Sequence, residues 1–295
     1  VLLLNILFLV DELFTIKMRI LITGGTGSLG TALQKRLAKD NELFIFSRDE
    51  QKHIALPSNV TSMIGDVRDL ERLRLAVVGC DMVIHAAAMK HVDICEREPF
   101  ECIETNIVGA KNVIKACIEQ NVRKIVAIST DKAVNPINMY GASKLASDKA
   151  FLSANNYARG EQEFCVVRYG NVMGSKGSVI PKWVELAKQG KPLPITHPEM
   201  TRFMMKMDDA VDMVVNAKKG MNIAKAPSMR MMDVLTAVWC TFAPMPQREA
   251  PLYNDIGVRP GEKLHEQLDT DYYSNKNDDW MTLEHLQQWL EENYG

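Results

Sequence analysis

The segment that most constrains this chain is RILITGGTGSLG, residues 19–30, where a short run of Ile and Leu passes directly into TGxxGxxG. A brief apolar run closed by turn residues reads as a buried strand, and glycines at 24, 27 and 30 let the backbone turn tightly and approach an anion closely. In that pattern the pyrophosphate of a dinucleotide rests on the amide groups that open the following helix. A plain glycine-rich turn is the competing reading, and the strand before it and the helical stretch after it speak against that. Thr23 ends the strand, and the expected cofactor contacts are Gly24, Thr26, Gly27, Ser28, Leu29 and Gly30.

The rest of the N-terminal half repeats the same rhythm. ELFIF (42–46), DMVIHAA (81–87), KIVAIS (124–129) and EFCVVR (163–168) are short β-rich runs separated by helix-length stretches. This predicts an α/β chain built on a Rossmann-type, doubly wound parallel sheet with helices on both faces. After about residue 174 the texture changes to Gly, Pro and Met, which predicts a smaller C-terminal lobe near the sheet's carboxyl edge. The expected division is an N-terminal extension over 1–18, a cofactor-binding domain over 19–174, and a substrate-binding lobe over 175–295, partly interleaved with the sheet domain. Trp280, Leu283, Leu286 and Leu290 recur at helical spacing, so 279–294 reads as a packing helix.

Residues 1–10 are apolar except for Asn5. Such a run is too short to span a bilayer as a helix, and no basic residue precedes it as in a secretory signal. Two readings stand: a helix packing on the body, or upstream sequence with Met18 near a natural start.

A formal net charge of -2, with Lys and Arg scattered, argues against nucleic acid as a partner. The six cysteines form no CxxC pair and the six histidines no HxxxH pair, so a metal centre and a disulfide framework both lack support. Free thiols fit a reducing compartment, and the expectation is a cytoplasmic protein with no membrane partner.

Cofactor choice is read at the end of the second strand, in FSRDE. Ser47 and Arg48 stand where an acidic residue would favour NAD, and Arg48 suits the 2′-phosphate of NADP; Asp49 keeps the NAD alternative open. Asp66 and Val67 follow the next apolar run, where Asp66 reads either as an adenine contact or as a turn residue. Ala86 and Ala87 end a strand where a flat ring could lie, and Lys90 follows.

The chemistry is concentrated in STDKAVNPINMYGASK, which follows the run KIVAI. Tyr140 and Lys144 share one face of a helix whose start is marked by Pro136 and Asn138. A Tyr-x-x-x-Lys pair is weak by itself, but here it comes just after a sheet strand with hydroxyls at Ser129 and Thr130 upstream. A free phenol titrates near 10, and bringing it close to neutrality takes roughly 3–4 kcal/mol, within reach of Lys144 and an oxidised nicotinamide together. Tyr140 is then the proton acceptor while hydride leaves the same carbon. Asp131 and Lys132 exceed what a simple alcohol dehydrogenase needs and suggest a second reaction; a surface ion pair is the bland alternative.

From about Arg19 to Leu268 the chain resembles the inverting UDP-N-acetylglucosamine 4,6-dehydratases of the pseudaminic acid pathway, within the extended short-chain dehydrogenase/reductases. The resemblance rests on ITGGTGSLG, SRDE, GDVRDLERL, HAAAMKHV, STDKAVNPINMYGASKLASDK, VVRYGNVMGSKGSVIP, MTRF and RPGEKLHE. It implies NADP as cofactor and a UDP-sugar as substrate. Tyr140, helped by Lys144 and Thr130, would oxidise C4; a neutral Lys132 would take the C5 proton; and Asp131 would protonate the departing C6 hydroxyl. Hydride then returns to C6 and C5 is reprotonated from the opposite face. Burial and cationic neighbours are expected to depress the Lys132 amine for this task.

The resemblance further implies that Asn171, Lys176, Gly177, Ser178, Val179 and Ile180 hold sugar and diphosphate. Thr196, Arg202, Arg259 and Glu262 would hold uridine and phosphate, Lys90 would touch substrate, and Val172 would touch the cofactor; Arg259 also reads as a plain loop cation. Self-association into dimers or larger is expected on the same ground. The chain departs from the family in a shortened segment around GMNIAKAPSM, around 239–248, and in the tail. A nucleotide-sugar 4-epimerase or a retaining 4,6-dehydratase is the runner-up, disfavoured by Lys132. A catalytically silent NADP-binding regulator would be expected to have lost Tyr140 or Lys144.

Overall fold

Strict alternation along short strands builds the centre of the molecule. In a computed structural model that describes residues 17–245 and 250–295, β1 (Arg19–Thr23) sends Ile20 and Ile22 into one apolar layer and Leu21 into the other. β2 (Glu42–Ser47), β4 (Met82–His85), β5 (Lys124–Ile128) and β6 (Glu163–Arg168) do the same, with Ile45, Ile84, Val126 and Val167 on the first face and Phe46, Val83, Ile125 and Val166 on the second. A sheet that feeds two cores must be covered on both faces, as the doubly wound reading requires. Most of the 1–18 extension, including the apolar run and both readings of it, lies outside the described residues.

Two further strands complete the sheet. β3 (Val60–Ile64) pairs with β2, and Gly220–Ile223, which becomes β10 in chain order, pairs with β6. Both are edge strands, and both escape a reading by apolar runs. In β3 only Val60 is buried, while Ile64 is half exposed; in β10 no residue is fully buried. The seven strands run β10-β6-β5-β4-β1-β2-β3, all pairs parallel. The order reverses between β1 and β4, which opens a crevice at their carboxyl ends.

The C-terminal segment carries short strands where none could be read from the sequence. β7 (Asn171–Val172) pairs with β9 (Thr201–Met205), and β11 (Ser228–Arg230) lies antiparallel on β9. β8 (Leu193–Ile195) pairs with β12 (Tyr253–Asp255), and β13 (Gln267–Asp269) forms a hairpin with β14 (Tyr272–Tyr273). A third core gathers here around Trp183, Trp239, Leu286 and Leu290. The segment GMNIAKAPSM still supplies β10, and helix Met207–Val215 packs Ala210, Val211 and Val214 beneath the sheet. The last helix spans Leu283–Tyr294, capped by Thr282. Trp280 lies before it and Leu283 is 44% exposed, so the packing stripe is Leu286, Trp289 and Leu290, shifted from the expected one. Among the described residues no helix is long and apolar enough to cross a membrane.

Candidate active site

The loop after β1 shows why its glycines are glycines. Gly24 adopts φ +67°, and a Cβ there would stand 2.7 Å from the Ala87 backbone. A Cβ on Gly30 would stand 2.2 Å from the Gly25 carbonyl, so helix Ser28–Leu37 seats against the loop only without a side chain. That helix has Gly27 as its N-cap, no side-chain cap and no acid in its first turn. Its unsatisfied amides therefore face the crevice as an anion seat, which a dinucleotide pyrophosphate fits.

The crevice is a cleft of about 750 Å³. Gly24, Thr26, Gly27, Ser28, Leu29 and Gly30 form one wall, and Ser47, Arg48, Asp66, Val67 and Ala86 continue it. Lys90, Tyr140, Lys144 and Val172 face the same space, so every expected cofactor contact lines a single cleft. Ser47 is fixed by hydrogen bonds with Thr26 (3.1 Å) and His53 (2.7 Å). Arg48 is largely exposed and sits 3.7 Å from Asp66, whose carboxylate also accepts two guanidinium bonds from Arg68 at 2.9 and 2.7 Å. Those bonds hold the Asp66 carboxyl below its ordinary range despite partial burial.

Tyr140 and Lys144 come from helix Met139–Ala154, whose N-cap Asn138 accepts from the Gly141 amide at 2.7 Å. Gly141 has no alternative, since a Cβ would stand 2.1 Å from the Lys132 carbonyl. Burial pushes the Tyr140 phenol up to about 12, opposed first by the Lys132 ammonium and then by the Thr130 hydroxyl. The leading cation beside the phenol is thus Lys132, where the sequence pointed to Lys144. Lys144 is buried and its ammonium is held below its ordinary value by that burial, with Asp148 one turn further along in opposition.

The turn Asp131–Ala133 directly follows β5 and carries the most unusual chemistry. Lys132 Nζ lies 3.0 Å from Asp131 Oδ1 and 3.1 Å from Glu266 Oε1. Thr130 Oγ1 donates to the same Asp131 oxygen at 3.0 Å. Lys132 and Thr130 line the cleft; Asp131 does not, being fully buried behind them. Burial raises the Asp131 carboxyl above its usual range, while the two carboxylates hold Lys132 above the ordinary lysine value. This reverses the expected depression of the amine: its nearest neighbours are acids, and Arg202 is the lesser influence.

The expected substrate contacts divide. Asn171, Gly177 and Ser178 line the cleft with Lys90. Lys90 Nζ donates to the Lys176 carbonyl at 2.8 Å and the Lys176 amide donates to Ser28 Oγ at 3.0 Å, so this loop crosses the cleft mouth although the Lys176 side chain does not line it. Val179 and Ile180 open helix Val179–Lys188 and turn their apolar side chains toward the third core, away from the cleft. Thr196 and Arg202 converge on Met200 Sδ, at 3.3 and 2.7 Å, with Arg202 also donating to the Leu264 carbonyl at 3.1 Å. Arg259 is exposed, and its amide faces Glu262 Oε2 at 3.4 Å. None of these four side chains reaches the cleft wall.

Several participants carry no sequence signal of their own. Glu266 ends RPGEKLHE but, read singly, is one Glu among many. Asn106, in a π-turn over Glu104–Val108, joins the Met89 backbone to Ser143 Oγ at 2.9 Å each. Asp148 receives Ser129 Oγ at 2.7 Å and Arg168 at 3.0 Å behind the helix. Only contacts distant in sequence reveal them.

Residues 20–287 match the family described as polysaccharide biosynthesis protein. An inverting UDP-N-acetylglucosamine 4,6-dehydratase of Campylobacter jejuni serotype O:2 is 51% identical over 265 residues, covering 85% of this chain and 77% of the relative. A UDP-glucose 4-epimerase of Rickettsia typhi is 43% identical over 277 residues, covering 88% and 80%. Among solved structures, Pen from Bacillus thuringiensis superposes with a TM-score of 0.86 at 32% identity, over 94% of this chain and 99% of that one.

Proposed function

The chain belongs to this polysaccharide biosynthesis protein family, and within it we propose that it is an NADP-dependent, inverting UDP-N-acetylglucosamine 4,6-dehydratase. The observation that carries the reading is an acid and an amine in contact at 3.0 Å, Lys132 on the cleft wall with Tyr140 and Asp131 buried directly behind it. A 4-epimerase has no use for that second acid-base pair, and the likeness to a dehydratase exceeds that to an epimerase.

Held along Gly24–Gly30, Ser47 and Ala86, a nicotinamide cofactor would supply hydride acceptance at C4 and hydride return at C6, and its oxidised form would add positive charge to the cleft. Tyr140 accepts the C4 hydroxyl proton, with the Lys132 and Thr130 contacts favouring the phenolate. The C4 ketone then acidifies C5–H, whose proton goes to Lys132. Asp131, raised by burial, donates through the Thr130 and Lys132 surface to the leaving C6 hydroxyl. Ser47 and the exposed Arg48 are fitted to a 2′-phosphate, which favours NADP over NAD. The C-terminal lobe, with Asn171, Gly177 and Ser178 at its edge, takes the UDP-sugar, and the product suits the pseudaminic acid route. Self-association belongs to the same proposal and is read by sedimentation.

Incubation with UDP-N-acetylglucosamine in deuterated water, followed by NMR, tests the reading. The expected product lacks the C6 hydroxyl, carries solvent deuterium at C5, and has L-arabino configuration. A product that keeps its C6 hydroxyl and is changed only at C4 would make the protein an epimerase.

A further inference from the structure

Behind the cleft wall, two distant parts of the chain are tied together. Lys263 Nζ donates to the Val134 carbonyl at 2.5 Å, Asn135 Nδ2 to Gln267 Oε1 at 2.8 Å, and Asn138 Nδ2 to the Gly261 carbonyl at 2.7 Å. These ties hold the segment that directly follows the turn bearing Asp131 and Lys132. At their centre the Glu266 side chain, 2% exposed, brings Oε1 to 3.1 Å from Lys132 Nζ. Its amide donates to Ser274 Oγ at 2.9 Å, which fixes the backbone from which the carboxylate projects. Glu266 Oε2 and Asp131 Oδ2 are both buried without a hydrogen-bond partner. Two carboxylates with one spare oxygen each, sharing one ammonium, form a costly arrangement for a mere scaffold.

We propose that Glu266 is a positioning residue whose fixed negative charge makes Lys132 the proton acceptor and keeps Asp131 the proton donor. The inference rests on the dehydratase reading and goes beyond it in naming a third member of the acid-base group. The charged groups facing Glu266 are Lys132 and Asp131 from the catalytic turn, Arg202 from β9, and Lys263 from its own loop, with Tyr140 beside Lys132. Lys132 and Arg202 hold the Glu266 carboxyl below its ordinary range despite burial, so it keeps its charge. That charge raises the proton affinity of both neighbours.

The steps balance without Glu266 changing state. The C5–H bond breaks, its proton goes to the neutral Lys132 amine, and the electron pair stays on the C4 ketone as enolate. Asp131 passes its proton through the Thr130 hydroxyl, 3.0 Å away on the cleft wall, to the C6 hydroxyl; the enolate pair forms the C5=C6 double bond as the C6–O bond breaks, and water leaves. Asp131 is then a carboxylate and Lys132 an ammonium, which is the resting ion pair, and before each elimination a proton crosses their 3.0 Å contact from Lys132 to Asp131 to give the amine and the acid.

The test is Glu266→Gln, which keeps shape and an acceptor for Lys132 while removing the charge. In deuterated water with UDP-N-acetylglucosamine, the elimination is expected to slow about a hundredfold, the scale of one acid-base contribution. Oxidation at C4 in a single turnover should stay within a few-fold, KM should change little, and calorimetry should give unchanged affinity for NADP and UDP. The alkaline limb of the elimination should move to lower pH, because both neighbours hold their protons less tightly. Elimination within threefold of wild type with an unmoved alkaline limb would overturn the inference. So would equal losses in C4 oxidation, nucleotide binding and elimination, which mark a structural part only. Should that variant not fold, Glu266→Asp carries the test by withdrawing the charge one methylene: elimination at least fivefold slower than C4 oxidation supports the inference, and an unchanged ratio refutes it. The wild type is the control for the underlying reading, since failure to dehydrate there would reject that reading rather than the role of Glu266.

Discussion

Removing Lys132 exposes how much of the site's cost is borne by one ammonium. Lys132→Met keeps the length and apolar stem but leaves Asp131 and Glu266, 0% and 2% exposed, with no cation between them. Only the Thr130 hydroxyl still serves Asp131 Oδ1, and one oxygen of each acid already has no partner. Breaking a buried ion pair from one side costs about 3–5 kcal/mol. The protein can relieve this by keeping a proton on a carboxyl that the unfolded chain, titrating near 4, has lost. The folded value is then raised, so the folded state holds the extra proton and stability increases as pH falls toward the unfolded value. One proton corresponds to roughly 1.4 kcal/mol per pH unit. Urea unfolding of variant and wild type at matched pH reads this directly: a deficit of about 4 kcal/mol near pH 8 should shrink by about 2.7 kcal/mol near pH 6. Dehydration should be lost while NADP binding persists. A deficit under about 1 kcal/mol with no pH slope beyond that of the wild type would mean that Lys132 does not hold the two acids together, and the acid-base account would fall with it.

The same contacts set further expectations. Arg48→Ala should weaken NADP about tenfold to a hundredfold by calorimetry and leave NAD within a few-fold, as loss of a charge-assisted phosphate bond requires; equal losses for both would remove Arg48 from the 2′-phosphate. His85 is buried, bonded to Thr23 at 2.8 Å, and burial lowers it to about 3. The unfolded chain binds that proton near 6.5 and the folded one does not, so stability should fall as pH drops below about 6.5, by about 2 kcal/mol at pH 5. His85→Gln should flatten that limb in thermal melts. Gly141→Ala should destabilise by about 1–3 kcal/mol and abolish turnover, because its Cβ meets the Lys132 carbonyl. Gly160→Ala, at φ +58° with nothing within 4 Å, should cost only about 1 kcal/mol and leave turnover intact.

What could be read from the sequence divides along a physical line. Strands buried on both faces, such as β1 and β5, announce themselves as apolar runs because both their faces need apolar side chains. The edge strands β3 and β10 do not, since solvent takes one side and the pattern dilutes to Val60 or to nothing fully buried. The wall expected to hold the cofactor was legible for a related reason: most of its residues, though not Tyr140 and Lys144, closely follow their strands, so chain order already specifies neighbourhood, and all the expected contacts line the cleft. The residues expected to hold substrate were not, because the directions of Thr196, Arg259 and Glu262 on loops and of Arg202 on β9 depend on packing between distant segments. Val179 and Ile180 could have been read differently, as the apolar first turn of a helix whose other buried residues include Trp183 and Val184.

The error over the Lys132 amine has the same origin and carries the most consequence. From the sequence its neighbours are Asp131, Tyr140 and Lys144, a set with more positive than negative charge once an oxidised nicotinamide joins it. The fold adds Glu266 from more than a hundred residues away, and its carboxylate at 3.1 Å joins that of Asp131 in outweighing burial and the Arg202 cation. A high proton affinity does not disqualify an amine that must take a proton from carbon. It makes the transfer downhill, provided the resting proton has somewhere to go, and Asp131, raised by burial and by Glu266, is that place at 3.0 Å. In the proposed mechanism acid and base come from adjacent positions of one turn, while the charge that tells them apart comes from the C-terminal segment. The C-terminal segment 261–267 is docked on residues 132–138, and if Glu266 acts as proposed, a variant that loosens that docking, such as Asn135→Ala, should depress elimination more than C4 oxidation in a single-turnover assay.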